Sequence, residues 1–464
     1  MNKITLLVVV VLVTVIANFT HAQSIQNIID QVSNANLQLT VNELSGEQST
    51  IINGTEQTIT SRVESNNDLA ATYIEERLQA LPNVSVAIQD FNTNGKNVIA
   101  TQLGQTNPEE IYLVCAHYDS VTTFCADDNA TGVAAVLEIA RILSTQCLDK
   151  TIVYALWDEE EIGLLGANFY AQQAADTSNG NTRANILGVI NMDMIGFDGD
   201  APGTPGDNQF DIDVRPIANS LEIKDDLLAI LNSYTFDLSA IVVNPGTTAS
   251  DHSRFWNQGY AAVLVGESWE TNDQTPNYHT ANDRVVDIDF QYMTEITKLI
   301  TAYMTTKAGL VNLDNTVTAT STQLTANALS TTYQWINCDT DSPILGATSQ
   351  VFTPLTNGNY AVLVGNGICD ELSACFNFNV LATAEFLPTE LTLFPNPVVS
   401  VLTIENPLLQ NLSLTLRDIT GKHITTQNSE KERITMNLEA NATGIYFVTI
   451  ASKLKSSTFK IVKE

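Results

Sequence analysis

The sequence predicts an α/β domain with a mostly parallel sheet flanked by helices, followed by two small all-β domains. Two observations carry this prediction. Buried-type strands alternate with amphipathic helices up to about residue 308, and the remaining chain is rich in Thr, Asn and Ser with short strand-like runs. A second change in composition, near residues 383–389, divides the part after residue 308 into two segments. The expected domains therefore span residues 23–308, 312–382 and 390–464 of the 464-residue chain.

Composition excludes several classes of partner. The chain has 21 Lys and Arg against 52 Asp and Glu, a formal net charge of −31. Phosphate recognition needs a basic surface, so nucleic acid is not an expected partner, and an anionic membrane surface is equally unfavourable. With 44% hydrophobic and only 16% charged residues, the chain is expected to fold and bury cores.

The first 22 residues have the pattern of a signal peptide. A short start containing Lys3 precedes an apolar run over residues 4–17, which is too short to span a bilayer. Cleavage is expected after Ala22, which would leave an exported chain with no integral membrane segment. An uncleaved anchor is the alternative.

The elements of the first domain follow from hydrophobic periodicity. Residues 67–81 and 131–143 show the spacing of amphipathic helices. The first of these favours packing of residues 23–70 on the first domain over their removal as a propeptide. Buried strands are predicted, in order, at residues 111–116, 152–157, 186–192 and 261–266.

Imidazole or carboxylate side chains follow every one of these strands. Parallel strands present their carboxyl ends at one edge of a sheet, so these side chains should gather there. They are His117, Asp119, Asp127, Asp128, Glu160, Glu161, Asp193, His279 and Asp283. Carboxylates gathered in this way repel one another unless a cation lies between them. Two His and at least three carboxylates suit zinc.

Two local spacings assign different tasks to neighbouring residues. His117 and Asp119 share a face of an extended segment, so Asp119 can fix the ring of a metal-binding His117. Glu160 and Glu161 point in different directions, so one can bind metal while the other accepts a proton from water. The preceding Asp158 and Glu159 are compatible with a solvated acidic turn, and Cys115 is expected to be a buried structural residue.

Six motifs in this order resemble the M28 family of co-catalytic zinc aminopeptidases. They are HYDS (117–120), ADDNATG (126–132), DEEEIGLLGANFY (158–170), NMDMIGF (191–197), SDHSRFWNQGY (250–260) and NYHTANDR (277–284). The resemblance covers about residues 24–308 and implies a zinc-peptidase (phosphorylase/hydrolase-like) fold.

The resemblance also implies a ligand set for two Zn²⁺ ions per chain. Asp128 would bridge the two ions. His117 and Asp193 would complete one site, and Glu161 and His279 the other.

Further roles come from the same resemblance. Glu160 would be the general base, and Asp119 would support His117. Tyr278 resembles a tyrosine that polarises the tetrahedral intermediate in some members. Asp128 is preferred over Asp127 as the bridge because of its distance from the following Thr-Gly pair.

The implied reaction is hydrolysis of the N-terminal bond of peptides with a free N-terminus. One alternative is a glutaminyl-peptide cyclotransferase, which shares the fold but uses a single zinc and typically has Trp where this chain has Tyr278. Another is a non-catalytic surface-binding protein that keeps the peptidase fold. The ligand set and the base are complete in the sequence, which favours the hydrolase.

The C-terminal third carries two further resemblances. Residues 312–382 resemble an immunoglobulin-like β-sandwich, which implies that Cys338 pairs with Cys369 or Cys375. Residues 390–464 resemble the type A sorting domain of the type IX secretion system of Gram-negative bacteria. That resemblance implies the type IX machinery as a partner and a secreted or cell-surface protein.

Overall fold

The computed structural model describes residues 25–200, 207–311, 313–329, 332–365, 369–378, 385–452 and 455–464. The chain divides into two compact units, one up to Asn312 and one from Leu313 onward. The predicted signal peptide, residues 1–22, lies outside the described residues. Within the described ranges, no helix combines the length and the apolar character needed to cross a membrane.

The first unit is built on an eight-stranded mixed sheet with the order β3-β4-β6-β5-β7-β10-β8-β9. A two-stranded hairpin, β1-β2, precedes it. The strands are β1 (Thr50–Ile52), β2 (Thr55–Gln57), β3 (Ser85–Asp90), β4 (Lys96–Gln102), β5 (Asn107–His117), β6 (Lys150–Trp157), β7 (Asn185–Met192), β8 (Gln209–Asp213), β9 (Ser239–Val243) and β10 (Ala262–Glu267).

The four central strands β6, β5, β7 and β10 all run parallel, which confirms the α/β prediction. The predicted strands correspond to these four. The pairs β3–β4, β4–β6 and β10–β8 are antiparallel, while the outer pair β8–β9 is parallel again. The parallel arrangement is therefore confined to the centre of the sheet and to one edge.

Helices of this unit cover both faces of the sheet, and residues 25–29 are helical as well. The numbered helices are α1 (Asn34–Leu44), α2 (Asp68–Gln79), α3 (Gly132–Leu143), α4 (Leu165–Ala175), α5 (Ser220–Ser233), α6 (His252–Asn257) and α7 (Phe290–Ala308). Both helices predicted from periodicity, α2 and α3, are present.

Successive side chains of β5 point to opposite faces of the sheet, and each face borders a different hydrophobic core of the first unit. Val114 and Ala116 belong to the core shared with α1, α2, α3, α5 and α7, whereas Leu113 and Cys115 belong to the core shared with α4 and α6. Both faces of β5 are thus covered, as expected for a central parallel strand.

The segment before α2 packs on the rest of the first unit. Leu37, Val41 and Leu44 of α1 are completely buried and belong to the larger core. Each buried side chain of this size contributes roughly 1.5–3 kcal/mol relative to an exposed one. Residues 25–70 are therefore an integral part of the first unit.

The second unit contains only β-strands among its described residues, arranged in small antiparallel sheets. Residues 313–378 form sheets around one core that includes Trp335, and residues 386–461 form sheets around another. Cys338 pairs with Cys375, which is one of the two pairings predicted. The domain limits 312–382 and 390–464 and the immunoglobulin-like topology stay predictions.

The strands of this unit are β11 (Val317–Ala319), β12 (Leu324–Ala326), β13 (Thr332–Asn337), β14 (Ser342–Pro343), β15 (Val351–Phe352), β16 (Gly358–Gly365), β17 (Asp370–Leu372), β18 (Phe376–Phe378), β19 (Thr392–Phe394), β20 (Val401–Glu405), β21 (Leu412–Asp418), β22 (His423–Ser429), β23 (Arg433–Asn437), β24 (Gly444–Ala451) and β25 (Ser456–Lys463). The sheets are β11-β12-β15, then β14-β13-β16-β17 with β18 added on β16, then β19-β20-β23 and β22-β21-β24-β25.

Candidate functional site

The site lies where the four central parallel strands end. β5 ends at His117, which is in register with Trp157 at the end of β6. β7 ends immediately before Asp193, and the loop after β10 leads to His279. The shared direction of these strands brings residues that are far apart in sequence to one edge of the sheet.

Two groups of potential ligand atoms share Asp128. His117, Asp128 and Asp193 form one group, and Asp128, Glu161 and His279 form the other, with the ligand atoms of each group within 4.8 Å of one another. Oδ1 of Asp128 lies 3.3 Å from Nε2 of His117, and Oδ2 lies 3.3 Å from Nε2 of His279. Asp128 is thus placed between the two imidazoles.

Each imidazole also has a second carboxylate beside it, Asp193 next to His117 and Glu161 next to His279. Oδ1 of Asp193 lies 3.3 Å from Nε2 of His117, and the Ser250 hydroxyl donates a hydrogen bond of 2.6 Å to Oδ2 of Asp193. Oε2 of Glu161 lies 3.1 Å from Nε2 of His279. The other oxygen of Glu161 is buried and has no hydrogen-bond partner among the described residues.

These donors fit divalent zinc. Imidazole nitrogen and carboxylate oxygen are its usual ligands besides thiolate, and an unpartnered buried carboxylate oxygen is costly unless a cation meets it. Each group offers three protein ligands, which leaves room for water or substrate, as in catalytic rather than structural zinc sites. The residues present therefore fit the metal that the sequence implied.

The pKa values show how strongly these groups act on one another. Burial by itself would raise the pKa of the Asp128 carboxyl, but hydrogen bonds from His117 and His279 hold it below its usual range. Burial lowers the pKa of His117, yet the charges of Glu160 and Asp193 raise it well above its usual value. Burial, followed by the charge of Asp128, raises the pKa of Glu161 to about 8.

Asp119 holds three parts of the site together. Its Oδ1 lies 3.5 Å from Nδ1 of His117, in agreement with the predicted shared face. The same carboxylate accepts the backbone N–H of Glu160 at 3.0 Å and that of Glu161 at 3.1 Å. It therefore orients both the imidazole and the turn that carries the two glutamates.

Glu160 lies beside the first group without being part of it. An oxygen of Glu160 comes within 4.8 Å of ligand atoms of His117 and Glu161. The side chain is buried, and burial raises its pKa well above the usual range. Asp251, also buried, adds to this rise through its charge, so a further carboxyl group lies near Glu160.

Asp127 and Asp128 are adjacent but face different surroundings. The Asp127 carboxylate accepts the backbone N–H of Gly196 at 2.8 Å and the hydroxyl of Thr131 at 3.2 Å. Asp127 belongs to no potential metal-binding group of the described residues. The preference for Asp128 agrees with this geometry.

Tyr278 stands at the open side of the site. Its ring stacks on His279 with centroids 3.7 Å apart and meets the edge of Trp269 at 5.2 Å. The side chain is partly exposed, and burial raises the pKa of its hydroxyl well above the usual range. The hydroxyl therefore stays protonated at neutral pH and can donate a hydrogen bond.

Arg62 and Asp283 support the site. Sequence reasoning did not single out Arg62, and it expected Asp283 at this edge of the sheet without assigning it a role. The buried Arg62 guanidinium donates to the carbonyl oxygens of Leu44, Tyr118, Phe124 and Cys125 at 2.7 to 3.0 Å. Asp283 accepts the backbone N–H groups of Asp127 and Asp128 at 2.8 and 3.0 Å. No local pattern in the sequence marks Arg62, whereas Asp283 lies in the same motif as His279.

The acidic run after β6 is not a solvated turn. Asp158 is completely buried, where its carboxylate accepts hydrogen bonds from Asn67 at 2.5 Å and from the hydroxyl of Tyr118 at 2.9 Å. Glu159 is also buried and accepts from Asn92 at 2.5 Å. Sequence reasoning missed this because the partners are distant along the chain. Cys115 is a buried free thiol in the core, as expected.

A cavity of about 830 Å³ opens over the two groups. Beyond the candidate ligands, its lining is rich in acidic side chains and includes one arginine. These residues are Asp211, Asp213, Glu267, Glu270 and Arg215. Burial raises the pKa of Asp213 to about 6, so this carboxyl is mostly ionised at neutral pH.

Comparison with known proteins agrees with this geometry. The family model described as "Peptidase family M28" matches residues 97–304, and the model described as "Secretion system C-terminal sorting domain" matches residues 392–464. A "Probable zinc metalloprotease" of Phaeosphaeria nodorum is 24% identical over an alignment of 351 residues, and the match covers 61% of this chain and 68% of that protein.

Two further similarities concern aminopeptidases. Leucine aminopeptidase 1 of Trichophyton rubrum is 26% identical over an alignment of 309 residues, and the match covers 61% of this chain and 77% of that protein. The structure of the LapA aminopeptidase of Legionella pneumophila has a TM-score of 0.53 at 16% identity, covers 63% of this chain and 76% of that one, and shows the shared fold. Residues 97–304 therefore form a domain of the peptidase family M28 type, the zinc-dependent aminopeptidase type of these relatives, and residues 392–464 form a secretion system C-terminal sorting domain.

Proposed function

We propose that the chain is an exported aminopeptidase that uses two zinc ions to hydrolyse the N-terminal bond of peptides with a free N-terminus. The observation that carries this proposal is the position of Asp128 between His117 and His279. His117, Asp128 and Asp193 would hold one ion, and Asp128, Glu161 and His279 the other. When bound, zinc supplies Lewis acidity, which polarises a carbonyl and makes water acidic enough to attack near neutral pH.

Glu160 is the proposed general base. It accepts a proton as the water oxygen attacks the scissile carbonyl carbon, which gives a tetrahedral intermediate. Glu160 then returns the proton to the leaving nitrogen as the C–N bond breaks, so that an amino acid and a shortened peptide are released. The position of Glu160 beside His117 and Glu161 supports this role. No covalent enzyme intermediate is needed.

Two other residues assist this step. Asp119 is a positioning residue, because it holds the His117 ring and the backbone of Glu160. Tyr278 lines the cavity beside His279, where its hydroxyl can donate a hydrogen bond to the oxygen that becomes negative in the intermediate.

The acidic lining supports the restriction to free N-termini. A peptide ammonium group entering the cavity meets carboxylates such as Asp213 and Glu270, which attract it. An acetylated N-terminus has no charge and gains nothing from these groups. The charge of the cavity therefore favours exopeptidase over internal cleavage.

Export is proposed to use two signals. Residues 1–22 would direct the chain across the inner membrane, and the sorting domain at residues 392–464 would engage the type IX secretion machinery. The product would be secreted or held at the cell surface of a Gram-negative bacterium.

The test is hydrolysis of aminoacyl-p-nitroanilides and their N-acetylated forms by purified protein, before and after chelation and zinc add-back. The chain should cleave only the free-amine substrates, lose activity on chelation and bind two zinc ions. Glu160→Gln should lose at least about 100-fold in kcat while still binding two zinc ions. Asp90→Asn, an exposed substitution in β3, is the control and should match the wild type.

The competing functions give different results. One zinc ion per chain together with cyclisation of N-terminal glutaminyl peptides would replace the aminopeptidase by a cyclotransferase. Zinc binding with no turnover of either kind of substrate would favour the surface-binding protein. Equal cleavage of acetylated and free substrates would contradict the proposed recognition of the N-terminus.

A further inference from the structure

A second group of carboxylates lies apart from the zinc ligands. Oxygen atoms of Asp198, Asp200 and Asp207 come within 4.8 Å of one another. Asp198 follows Asp193 by five residues, and none of the three belongs to either candidate zinc group. Asp200 and Asp207 are exposed, and exposed acidic residues often cluster without any ligand. The buried member of the group is therefore the informative one.

Asp198 is only 3% exposed, and neither of its carboxylate oxygens has a hydrogen-bond partner among the described residues. Burial, together with the neighbouring carboxyl groups of Asp273, Asp200 and Asp207, raises its pKa to about 7. The strongest charged neighbours of Asp198 are thus all negative. A buried carboxyl group in such surroundings lacks the cation that normally compensates it.

Asp273 brings a fourth carboxylate to the group from another loop. Its Oδ1 accepts the backbone N–H of Gly199 at 2.8 Å. A Cβ atom at position 199 would overlap this oxygen, so the glycine permits the close approach of Asp273. The carboxylates therefore come from two separate segments of the chain that meet at Gly199.

The donor set identifies the class of cation. Four carboxylates and no imidazole or thiolate suit a hard cation, and they do not favour zinc. Ca²⁺ takes six to eight oxygen ligands with flexible geometry, whereas Mg²⁺ demands a near-ideal octahedron and keeps most of its water. We propose that Asp198, Asp200, Asp207 and Asp273 bind a calcium ion that is separate from the zinc centre.

Such an ion would join two segments that lead to the catalytic site. Asp198 lies shortly after Asp193, and Asp273 lies between Trp269 and Tyr278 in the loop that follows β10. The backbone N–H of Asp273 also donates to the carbonyl of Ser268 at 2.9 Å. Calcium would therefore stabilise the loop that carries the cavity wall. This inference does not depend on the proposed reaction.

The test uses the full-length, zinc-loaded chain in calcium-free buffer, with CaCl₂ as the probe. Calorimetric titration should show one calcium ion bound with a Kd of about 10⁻⁴ to 10⁻³ M, the range of extracellular calcium modules. At about 100 times Kd, Tm of the first unit should rise by roughly 5 °C. MgCl₂ at the same concentration should produce a smaller rise.

The Asp198→Asn variant tests the proposal through the direction in which its Tm differs from that of the wild type, with and without calcium. Without calcium, this variant should have a higher Tm than the wild type, because it removes a buried charge from an acidic group. With calcium the order should reverse, because the variant gains little from the ion. Asp90→Asn, which removes an exposed charge from β3, should keep the full calcium response.

Three results would overturn the proposal. The first is the absence of both calcium binding and a Tm shift in the zinc-loaded wild type. The second is an equal calcium-dependent shift in wild type and Asp198→Asn, which would place the ion elsewhere. The third is an equal shift with MgCl₂, which would overturn the assignment to calcium.

Discussion

The carboxylate of Asp119 accepts the backbone N–H of Glu160 at 3.0 Å, so a residue that follows β5 orients the proposed base that follows β6. The same carboxylate lies 3.5 Å from Nδ1 of His117. Groups of this kind tune metal sites through the ring orientation and basicity of their ligands. In the proposed mechanism, Asp119 therefore aligns the candidate zinc ligand His117 with the proposed base Glu160.

Asp119→Asn is expected to lower zinc affinity and kcat/KM by 10- to 100-fold each. The two carboxylate oxygens of Asp119 each accept one backbone N–H, from Glu160 and from Glu161. An asparagine amide has only one oxygen, and its NH₂ group would face the other N–H, so one of these hydrogen bonds is lost. Zinc affinity is measured by competition with a chromophoric chelator, and kcat/KM with an aminoacyl-p-nitroanilide. Asp90→Asn serves as control, and unchanged values for Asp119→Asn would contradict the positioning role.

Arg62→Met is expected to lower the free energy of unfolding of the first unit by at least about 3 kcal/mol. The substitution leaves buried carbonyl oxygens of four residues without their donor. Arg62→Lys should recover only part of the loss, because an ammonium has three donors and no planar fork. Urea unfolding monitors the change.

The matched control for Arg62 is Arg183→Met. Arg183 makes one hydrogen bond, to the carbonyl of Gln258, and lies over the ring of Tyr260 at the surface. Its loss should cost less than about 1 kcal/mol. Equal effects of the two substitutions would refute the supporting role assigned to Arg62.

His252 should make the first unit less stable in acid. Burial lowers its pKa to about 4, below the value of about 6.5 in an unfolded chain. As pH falls, the unfolded chain therefore binds the proton first, and the contribution of His252 is lost between about pH 6.5 and 4, by about 3 kcal/mol in total. The free energy of unfolding of metal-free protein, measured across this range, checks the loss.

His252→Gln should flatten this pH dependence. The amide can still donate to the carbonyl of Thr247, which the ring meets at 3.1 Å, but it does not titrate. His423→Gln, which changes an exposed histidine of the second unit, should leave the curve as it is in the wild type. A wild-type slope that persists in His252→Gln would show that other groups cause the acid sensitivity.

Tyr278→Phe should lower kcat by about 100-fold with little change in KM, if its hydroxyl acts only on the developing negative charge. Phenylalanine keeps the stacking on His279 and the contact with Trp269, so the shape of the cavity wall is preserved. Tyr260→Phe is the control. It removes a hydroxyl that donates to the carbonyl of Ala174 and does not line the cavity. A rise in KM at constant kcat would instead assign Tyr278 to substrate binding.

Several features were predictable because they depend on local sequence. The helix Asp68–Gln79 follows from apolar spacing, and the central strands follow from short apolar runs. The rule that parallel strands end at one edge then brings His117 and Asp193 together without any knowledge of contacts. The choice of Asp128 came from the resemblance, and local spacing did not distinguish it from Asp127.

The predictions were wrong or incomplete where contacts between distant parts of the chain determine the burial of a side chain or the direction of a strand. Asp158 and Glu159 look like part of a solvated turn in the sequence, yet Asn67 and Asn92 meet them in the interior. The antiparallel edge pairs of the sheet, such as β3–β4, were also not foreseen. Short strands of this kind have no pattern that specifies the direction of their neighbours.

The sequence by itself determined which chemical groups this protein has and at which end of each strand they stand, because strand direction and side-chain alternation are local properties. Only the tertiary structure decided which carboxylate lies between the two imidazoles, where Arg62 places its donors, and that Asp198 meets Asp273. These outcomes depend on burial and on distances between residues far apart in the chain, and neither quantity is encoded in any short segment.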